Sequence, residues 1–176
     1  MQKFEFAILD ALQSLHCGFL NAVMVFFTTL GELGAIWIAA GLVMLFFKKY
    51  RRLGITVLLG LVIGLLTVNF GIKNIVARPR PCAINTSVSL LVPFPSEYSF
   101  PSGHTVSSFS AATSIFLKNK RLGVCALVLA SVIAFSRLYL YVHFPTDVLC
   151  GIAIGVAISF LSTYIMKKPK WCLLGE

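Results

Sequence analysis

Six apolar stretches, separated by polar or basic clusters, restrict most strongly how this chain can fold. Of its 176 residues, 58% are hydrophobic and only six are acidic, so most of the chain is too apolar to face water. A helix needs about 20 apolar residues to cross the hydrocarbon core of a bilayer. We therefore predict an all-α, polytopic membrane helix bundle with about six transmembrane helices. The apolar stretches cover residues 18–30, 35–47, 53–76, 101–117, 122–141 and 145–166.

The N-terminal residues have a different pattern. Apolar residues recur there at helical spacing with polar residues between them, which is typical of a helix lying in the membrane interface. We predict an interfacial amphipathic helix over residues 1–17, a transmembrane domain over 18–168 and a cytoplasmic tail over 169–176. The stretch 18–30 is short for a span, so whether it crosses the bilayer fully is open. The apolar positions are Phe4, Ile8, Ala11, Leu12 and Leu15, and the polar ones are Lys3, Glu5, Asp10, Gln13 and Ser14.

Basic clusters indicate the orientation of the bundle. The clusters at residues 48–52, 118–121 and 167–170 follow the second, fourth and sixth stretches, so they share one face of the membrane. By the positive-inside rule that face is cytoplasmic. Because most of the basic residues lie in these short clusters and not on an open polar face, the net charge of +9 does not indicate a nucleic-acid partner. Tyr139 and Tyr141, near the other face, are expected in an interfacial aromatic belt.

A second group of ionisable residues maps to the opposite, extracytoplasmic face. The four cations among them run against the topology signal, so their position needs another reason. Charged groups at the edge of a span are costly and by default indicate function. Three separate regions of the sequence meet at this face. The residues are Lys73, Arg78, Arg80, His104, Arg137, His143 and Asp147.

The segment 136–147, between the last two apolar stretches, indicates the chemistry. If a helix starts near Pro145, Asp147 lies on the side that His143 faces. A carboxylate there can accept the proton of one imidazole nitrogen and leave the other nitrogen with a free lone pair, as in a base or nucleophile. Arg137 lies upstream, and a guanidinium can hold a phosphate in a bidentate manner. This segment therefore predicts a phosphoryl-transfer site at a membrane face.

Three motifs combine into one pattern: Lys73-x6-Arg80-Pro81, Pro101-Ser102-Gly103-His104 and Ser136-Arg137-x5-His143-x3-Asp147. In this order and spacing they resemble the signature of the type 2 phosphatidic acid phosphatase (PAP2) superfamily, which also includes vanadium haloperoxidases. The resemblance covers roughly residues 50–167. It implies that the predicted transmembrane domain, 18–168, is a PAP2-type catalytic domain.

The resemblance also implies roles for the residues of the pattern. His143 would attack phosphorus to give a phosphohistidine, with Asp147 holding its tautomer. His104 would protonate the departing oxygen and then activate water. Arg78 is outside the pattern, with a secondary phosphate contact and a headgroup or backbone contact as alternatives. The residues implied to hold the phosphoryl group are Lys73, Arg80 and Arg137 through their charges, and Ser102 and Gly103 through backbone N–H groups at a helix start.

Three cations in one site can neutralise a phosphoryl group as Mg²⁺ does in other phosphatases. On the outer face, Asp147, Glu32 and Glu97 are the carboxylates available, and they form no cluster in the sequence. We therefore expect catalysis without a metal and without another cofactor.

The leading hypothesis is an integral lipid phosphatase of the plasma membrane with its active site on the extracytoplasmic face. Among small bacterial PAP2 proteins the chain looks most like undecaprenyl-diphosphate phosphatases. Phosphatidylglycerophosphate, phosphatidate and lipid A 1-phosphate stay open as substrates, as does phosphate transfer to another lipid. A vanadate-dependent haloperoxidase and a non-catalytic scaffold are the rival classes. The sequence does not indicate an oligomeric state.

Overall fold

A computed structural model of the protein describes residues 2–167, which contain nine α-helices and no β-strand. The predicted tail at 169–176 and the last lysines of the 167–170 cluster lie outside these residues. A 3₁₀ turn, Glu32–Gly34, precedes the third helix, and a π-helical segment, Leu66–Ile72, follows the fourth. The helices are α1 (Gln2–Gln13), α2 (Gly18–Leu30), α3 (Ala35–Phe46), α4 (Arg51–Leu65), α5 (Lys73–Val76), α6 (Pro81–Ile84), α7 (Gly103–Lys118), α8 (Lys120–Tyr139) and α9 (Pro145–Lys167).

The predicted all-α architecture is confirmed, and the main helices follow the apolar stretches closely. Helix α9 begins at Pro145, because proline suits the first helical turn, where its missing N–H costs no hydrogen bond. Helix α8 follows α7 after one residue, Asn119, whose side-chain oxygen accepts the Leu122 N–H at 3.2 Å. Local sequence therefore accounts for where these helices start.

Three helical segments among the described residues are long and apolar enough to cross a membrane: 51–84, 120–139 and 145–167. Helices α1 and α2 pass the same test only as a pair, and that pair is bent by 120°. The apolar helix over 32–46 is shorter, and α7 has 16 residues. The number of spans therefore stays a prediction, whereas the polytopic apolar bundle is established.

Helix α7 lies at the centre of the bundle, against α4, α8 and α9. Small residues allow these close approaches. A β-carbon on Gly123 would come within 2.1 Å of the Phe116 Cα, and one on Gly155 within 2.7 Å of the Val106 carbonyl oxygen. The Trp37 indole donates a hydrogen bond of 2.9 Å to Ser108 Oγ and so ties α3 to this centre. The start of α4 and the end of α9, which both carry basic residues, also meet, since Arg52 donates to the Met166 carbonyl at 3.3 Å.

Helix α1 packs on the opposite end of the bundle through a face that its sequence does not suggest. Glu5 and Leu9 are buried, whereas Phe4 is 70% exposed. Helix α1 covers Tyr139 and Tyr141, which are fully buried, so their expected place in an aromatic belt is wrong. Gln13 Nε2 donates to the Tyr139 carbonyl at 3.0 Å. The contact of α1 with the bundle is thus polar as well as apolar.

Candidate active site

The three motifs meet at one end of the bundle. Helix α5 follows the π-helical segment and ends at Val76, and the next residue, Ala77, has a left-handed conformation (φ 46°) that turns the chain back toward Arg80. The start of α7 contacts the start of α9, because the Ser102 N–H donates to the Asp147 carbonyl at 3.2 Å. The end of α8 joins the turn before α9 through the Val142 N–H, which donates to the Arg137 carbonyl at 3.2 Å. The predicted convergence of these regions is what the structure shows.

His143 lies in the turn between α8 and α9 and is 2% exposed. Its Nε2 atom is 3.0 Å from Nη1 of Arg80. A guanidinium can only donate hydrogen bonds, so this contact requires a lone pair on Nε2. The proton of a neutral His143 ring is then on Nδ1. The geometry thus selects the tautomer in which Nε2 is nucleophilic.

The Nδ1 side of His143 faces two oxygen atoms. The Oδ2 atom of Asp147 is 3.6 Å away, beyond a normal hydrogen bond, and Ser99 Oγ is 3.4 Å away. Ser99 in turn donates a hydrogen bond of 2.5 Å to the same Asp147 Oδ2. The backbone N–H of Phe144 also donates to Oδ2, at 2.8 Å. Ser99 therefore bridges the histidine and the carboxylate predicted to orient it.

The protonation state of His143 follows from its surroundings. Burial, together with the charges of Arg80 and Arg137, lowers the pKa of the imidazole to about 3, although the carboxylate of Asp147 acts to raise it. Burial disfavours the charged form because the ring loses its hydration. The imidazole is therefore neutral, and competent as a nucleophile, across the physiological pH range.

The three predicted phosphate-binding cations are buried at the same end, and each is held by a protein group. Arg80 Nε donates to the Glu97 carbonyl at 2.7 Å, and its Nη1 donates to the Val142 carbonyl at 2.8 Å. The Lys73 ammonium pairs with the Glu97 carboxylate. Arg137 Nη1 donates to Thr28 Oγ1 on α2, whereas its buried Nε has no partner among the described residues. An unpaired buried donor costs free energy and is available to an anion.

His104, Ser102 and Gly103 begin helix α7. His104 is half-buried and close enough to interact electrostatically with Lys73, Arg80, Arg137 and His143.

The backbone N–H groups of Ser102 and Gly103 differ in their availability. The Ser102 N–H donates to the Asp147 carbonyl, so it already has a partner. The Gly103 N–H belongs to the first helical turn, where no partner exists within the helix. A β-carbon on Gly103 would meet only Asn69 Oδ1, at 3.9 Å, so the space beside it is open.

Arg78 contacts two carboxylates. Its Nη1 atom donates to Asp147 Oδ1 at 2.6 Å, and its Nη2 atom donates to Glu5 Oε2 at 2.7 Å. The guanidinium carbon lies 4.0 Å from the ring centroid of Phe144. Arg78 thus links α1 to the start of α9.

The sequence analysis gave no role in this site to four residues that contact its members: Ser99, Glu97, Thr28 and Glu5. Ser99 and Glu97 belong to a loop without a motif, and Thr28 lies in an apolar helix. Glu5 has the spacing of a solvated polar position on α1. The signal that could have found Thr28 is a hydroxyl in a membrane helix, since polar groups there usually have a partner. Between Gln2 and Lys167 no group of three or more His, Cys, Asp or Glu is arranged to hold a metal ion.

Comparison with known proteins agrees with these observations. The model of the PAP2 superfamily matches residues 53–171. The chain is 35% identical over 147 residues to the undecaprenyl-diphosphatase of Sulfolobus acidocaldarius, and the aligned region covers 83% of this chain and 70% of that protein. It is 30% identical over 152 residues to the undecaprenyl-diphosphatase BcrC of Bacillus subtilis, covering 83% of this chain and 75% of that one.

A solved structure is also similar over nearly the whole chain. The crystal structure of a transmembrane PAP2-type phosphatidylglycerolphosphate phosphatase from Bacillus subtilis superposes with a TM-score of 0.77 at 30% identity. The alignment covers 96% of this chain and 87% of that one.

Fold and site together define a polytopic, all-helical membrane phosphatase with histidines and cations at one end of the bundle. The chain belongs to the PAP2 superfamily. It is a membrane lipid phosphatase and thus a phosphoric-ester hydrolase.

Proposed function

We propose that this protein removes the terminal phosphate of a polyprenyl diphosphate, with undecaprenyl diphosphate as the best candidate, through a phosphohistidine on His143. The observation that carries the mechanism is the contact of Arg80 with His143 Nε2 at 3.0 Å. It leaves the Nδ1 proton facing Ser99 and Asp147 and the Nε2 lone pair among the cations. That is the arrangement of an activated nucleophile beside a site for an anion.

The reaction has two displacements. In the first, the Nε2 lone pair of His143 forms a bond to the terminal phosphorus, and the bond from phosphorus to the bridging oxygen breaks. His104 gives its proton to the departing oxygen, which leaves as the lipid monophosphate. In the second, His104 takes a proton from water, the water oxygen bonds to phosphorus, and the P–N bond returns its electrons to Nε2.

The cations supply the electrostatic part of catalysis. Lys73, Arg80 and Arg137 lie close enough to one another to interact electrostatically. Negative charge on the phosphoryl oxygens redistributes in the transition state, and donors already in place stabilise it without reorganisation. The unpaired Nε of Arg137 is one such donor. We therefore propose catalysis without a divalent metal, with Gly103 adding a backbone N–H.

The surroundings of Lys73 suit an amphiphilic substrate. A cavity of about 440 Å³ lies beside it, and its lining includes Leu65, Phe70, Glu97 and Tyr98. The side chains of Leu65 and Phe70 are exposed on the apolar surface of the bundle. A lipid can thus place its charged end near Lys73 while its chain stays in apolar surroundings. The two undecaprenyl-diphosphatases described above support the choice of a polyprenyl chain.

Phosphate release by the purified protein in detergent with EDTA tests this function. Undecaprenyl diphosphate, phosphatidylglycerophosphate, phosphatidate and a soluble phosphate ester are compared, with His143→Ala as the control. We expect preference for the diphosphate, and no release by the variant. Preference for phosphatidylglycerophosphate would instead assign the activity named for the Bacillus subtilis structure. Restoration by Mg²⁺ of activity lost in EDTA would contradict the metal-free mechanism.

We also propose that the site faces the outside of the cell. The basic clusters at the opposite end of the bundle support this orientation through the positive-inside rule. Intact spheroplasts should then release phosphate from added farnesyl diphosphate, a short analogue that does not cross the membrane. A requirement for permeabilisation would place the site on the cytoplasmic face.

A further inference from the structure

The carboxylate of Asp147 is fully buried and has a partner on each oxygen. Oδ2 accepts hydrogen bonds from Ser99 and from the Phe144 N–H, on the side that faces His143. Oδ1 accepts from Arg78 at 2.6 Å. Without Arg78, Oδ1 would be a buried acceptor without its charged partner, and the carboxylate could rotate away from His143. The orientation of the carboxylate therefore depends on a residue outside the three-part pattern.

Arg78 is itself held in place from the other side by helix α1. Glu5 is 3% exposed, and its Oε2 atom accepts from Arg78 Nη2 at 2.7 Å. Its Oε1 atom accepts from Thr146 Oγ1 at 2.5 Å and from the Thr146 N–H at 3.3 Å. Thr146 lies next to Asp147, and its Oγ1 accepts from Arg78 Nη1 at 2.7 Å. Glu5 thus contacts both Arg78 and the backbone that carries Asp147.

Burying the carboxylates of Glu5 and Asp147 costs free energy unless each is paired with an opposite charge. A buried carboxylate on a helix predicted to lie at the membrane surface requires a charged partner. Arg78 is that partner: its guanidinium is shared by Glu5 and Asp147 and stacks on Phe144. A residue that only anchored α1 would not need to contact the carboxylate beside the nucleophile.

We propose that Arg78 and Glu5 are positioning residues, which orient the Asp147 carboxylate toward His143 and make helix α1 part of the active site. The proposal rests on the function proposed above, in which His143 is the nucleophile. Arg78 acts through Asp147 and Glu5 acts through Arg78. Neither residue touches the substrate.

The steady-state test separates positioning from phosphate binding. We expect Arg78→Met to lower kcat on undecaprenyl diphosphate about 10- to 100-fold, with little change in KM or in inhibition by inorganic phosphate. Arg80→Met, which removes a predicted phosphate contact, should weaken inhibition by phosphate. If Arg78→Met weakened that inhibition and kept kcat, Arg78 would be a phosphate contact and the proposal would be overturned.

A double-mutant cycle tests whether Glu5 acts through Arg78. Glu5→Gln should lower kcat in the wild-type background and have little further effect in Arg78→Met. Independent losses that add would overturn the role of Glu5. Asp10→Asn is the matched control on α1, because it neutralises the carboxylate that accepts a 2.7 Å hydrogen bond from Tyr141 and does not contact Arg78. It should lower thermal stability and keep kcat.

An independent measurement does not require turnover. Nitrogen-15 NMR of histidine-labelled protein reports the tautomer of His143, whose signal is identified by its loss in His143→Ala. Because Arg80 keeps Nε2 as an acceptor in both proteins, the Nδ1-protonated tautomer should persist, and the measured quantity is the chemical shift of the proton on Nδ1. That proton should resonate downfield in wild type and move upfield in Arg78→Met, where the Asp147 carboxylate is no longer held toward it. An unchanged Nδ1 proton shift in Arg78→Met would overturn the proposal. Failure of the proposed function would show separately, as phosphate release by His143→Ala equal to wild type.

Discussion

Gly31, at the end of helix α2, packs directly against the ring of His104. A β-carbon on Gly31 would lie 3.0 Å from His104 Cδ2 and 2.7 Å from Ile133 Cγ2. These separations are shorter than van der Waals contact, so a side chain here would displace its neighbours. Helix α2 therefore sets the position of the proposed general acid, although it contributes no residue to the three motifs.

The first prediction concerns this contact. Gly31→Ala should lower kcat because the new methyl group pushes the imidazole of His104 away from the leaving group. The backbone of Gly31 (φ −82°) is accessible to alanine, so the loss would not come from backbone strain. Gly18→Ala is the matched control, since a β-carbon there meets nothing within 4 Å. Equal rates of phosphate release in the two variants would show that the position of His104 tolerates this shift.

The second prediction concerns Ser99. Ser99→Ala removes the 2.5 Å hydrogen bond to Asp147 Oδ2 and leaves a cavity beside His143 Nδ1. A hydrogen bond to a charged group contributes about 1.5–3 kcal/mol, so we expect kcat to fall at least about 10-fold. Ser131→Ala serves as control, because its hydroxyl donates to the Leu127 carbonyl on the exposed face of α8. Wild-type turnover by Ser99→Ala would mean that Asp147 alone orients the histidine.

The third prediction concerns pH. The folded-state pKa of His143 is about 3, below the ordinary value of 6.5, so between these values the unfolded chain binds a proton that the folded protein does not. This histidine therefore contributes stability that is fully present above pH 6.5 and is lost as pH falls toward 3. Thermal unfolding of wild type should depend more steeply on pH between about 4 and 6 than that of His143→Gln. Identical slopes would contradict a buried, neutral imidazole.

Much of this architecture could be predicted because it depends on local sequence and on the bilayer. Prolines, basic clusters and apolar length determine where α9 begins and which ends of the helices share a face. Once the order of helices is known, His104 and His143 must lie at the same end of the bundle. Convergence of the motifs is thus a consequence of topology.

The contacts that hold the site could not be predicted, since they depend on how helices rotate and pack. Glu5 has the spacing of a surface residue, and only the docking of α1 shows that it is buried. Tyr139 and Tyr141 have the composition of an aromatic belt but lie under α1. Thr28 binds Arg137 because α2 lies against the end of α8, a contact between residues 109 positions apart. Long-range pairs of this kind leave no trace in a single sequence.

The last prediction separates the two roles of His104. When the leaving group is a lipid phosphate it needs little protonation, whereas the alcohol released from phosphatidate needs a proton as the bond breaks. In His104→Ala, the rate of the first displacement should therefore fall on both substrates, but more on phosphatidate. On phosphatidate we expect a loss of about 10²- to 10⁴-fold, and on undecaprenyl diphosphate a smaller one. The second displacement lacks its base with either substrate. A phosphoenzyme should then accumulate from the diphosphate.

Labelling with undecaprenyl diphosphate carrying ³²P in the terminal position measures this intermediate. We expect an acid-labile, base-stable label on His104→Ala and none on the double variant that also carries His143→Ala. His16 is the matched control, because it is the remaining histidine of the chain and contacts the Tyr139 carbonyl at 3.1 Å instead of the site. His16→Ala should keep the wild-type ratio of the two activities. Equal losses on both substrates with no trapped label would assign His104 a role other than proton transfer, because a proton donor must distinguish a good leaving group from a poor one.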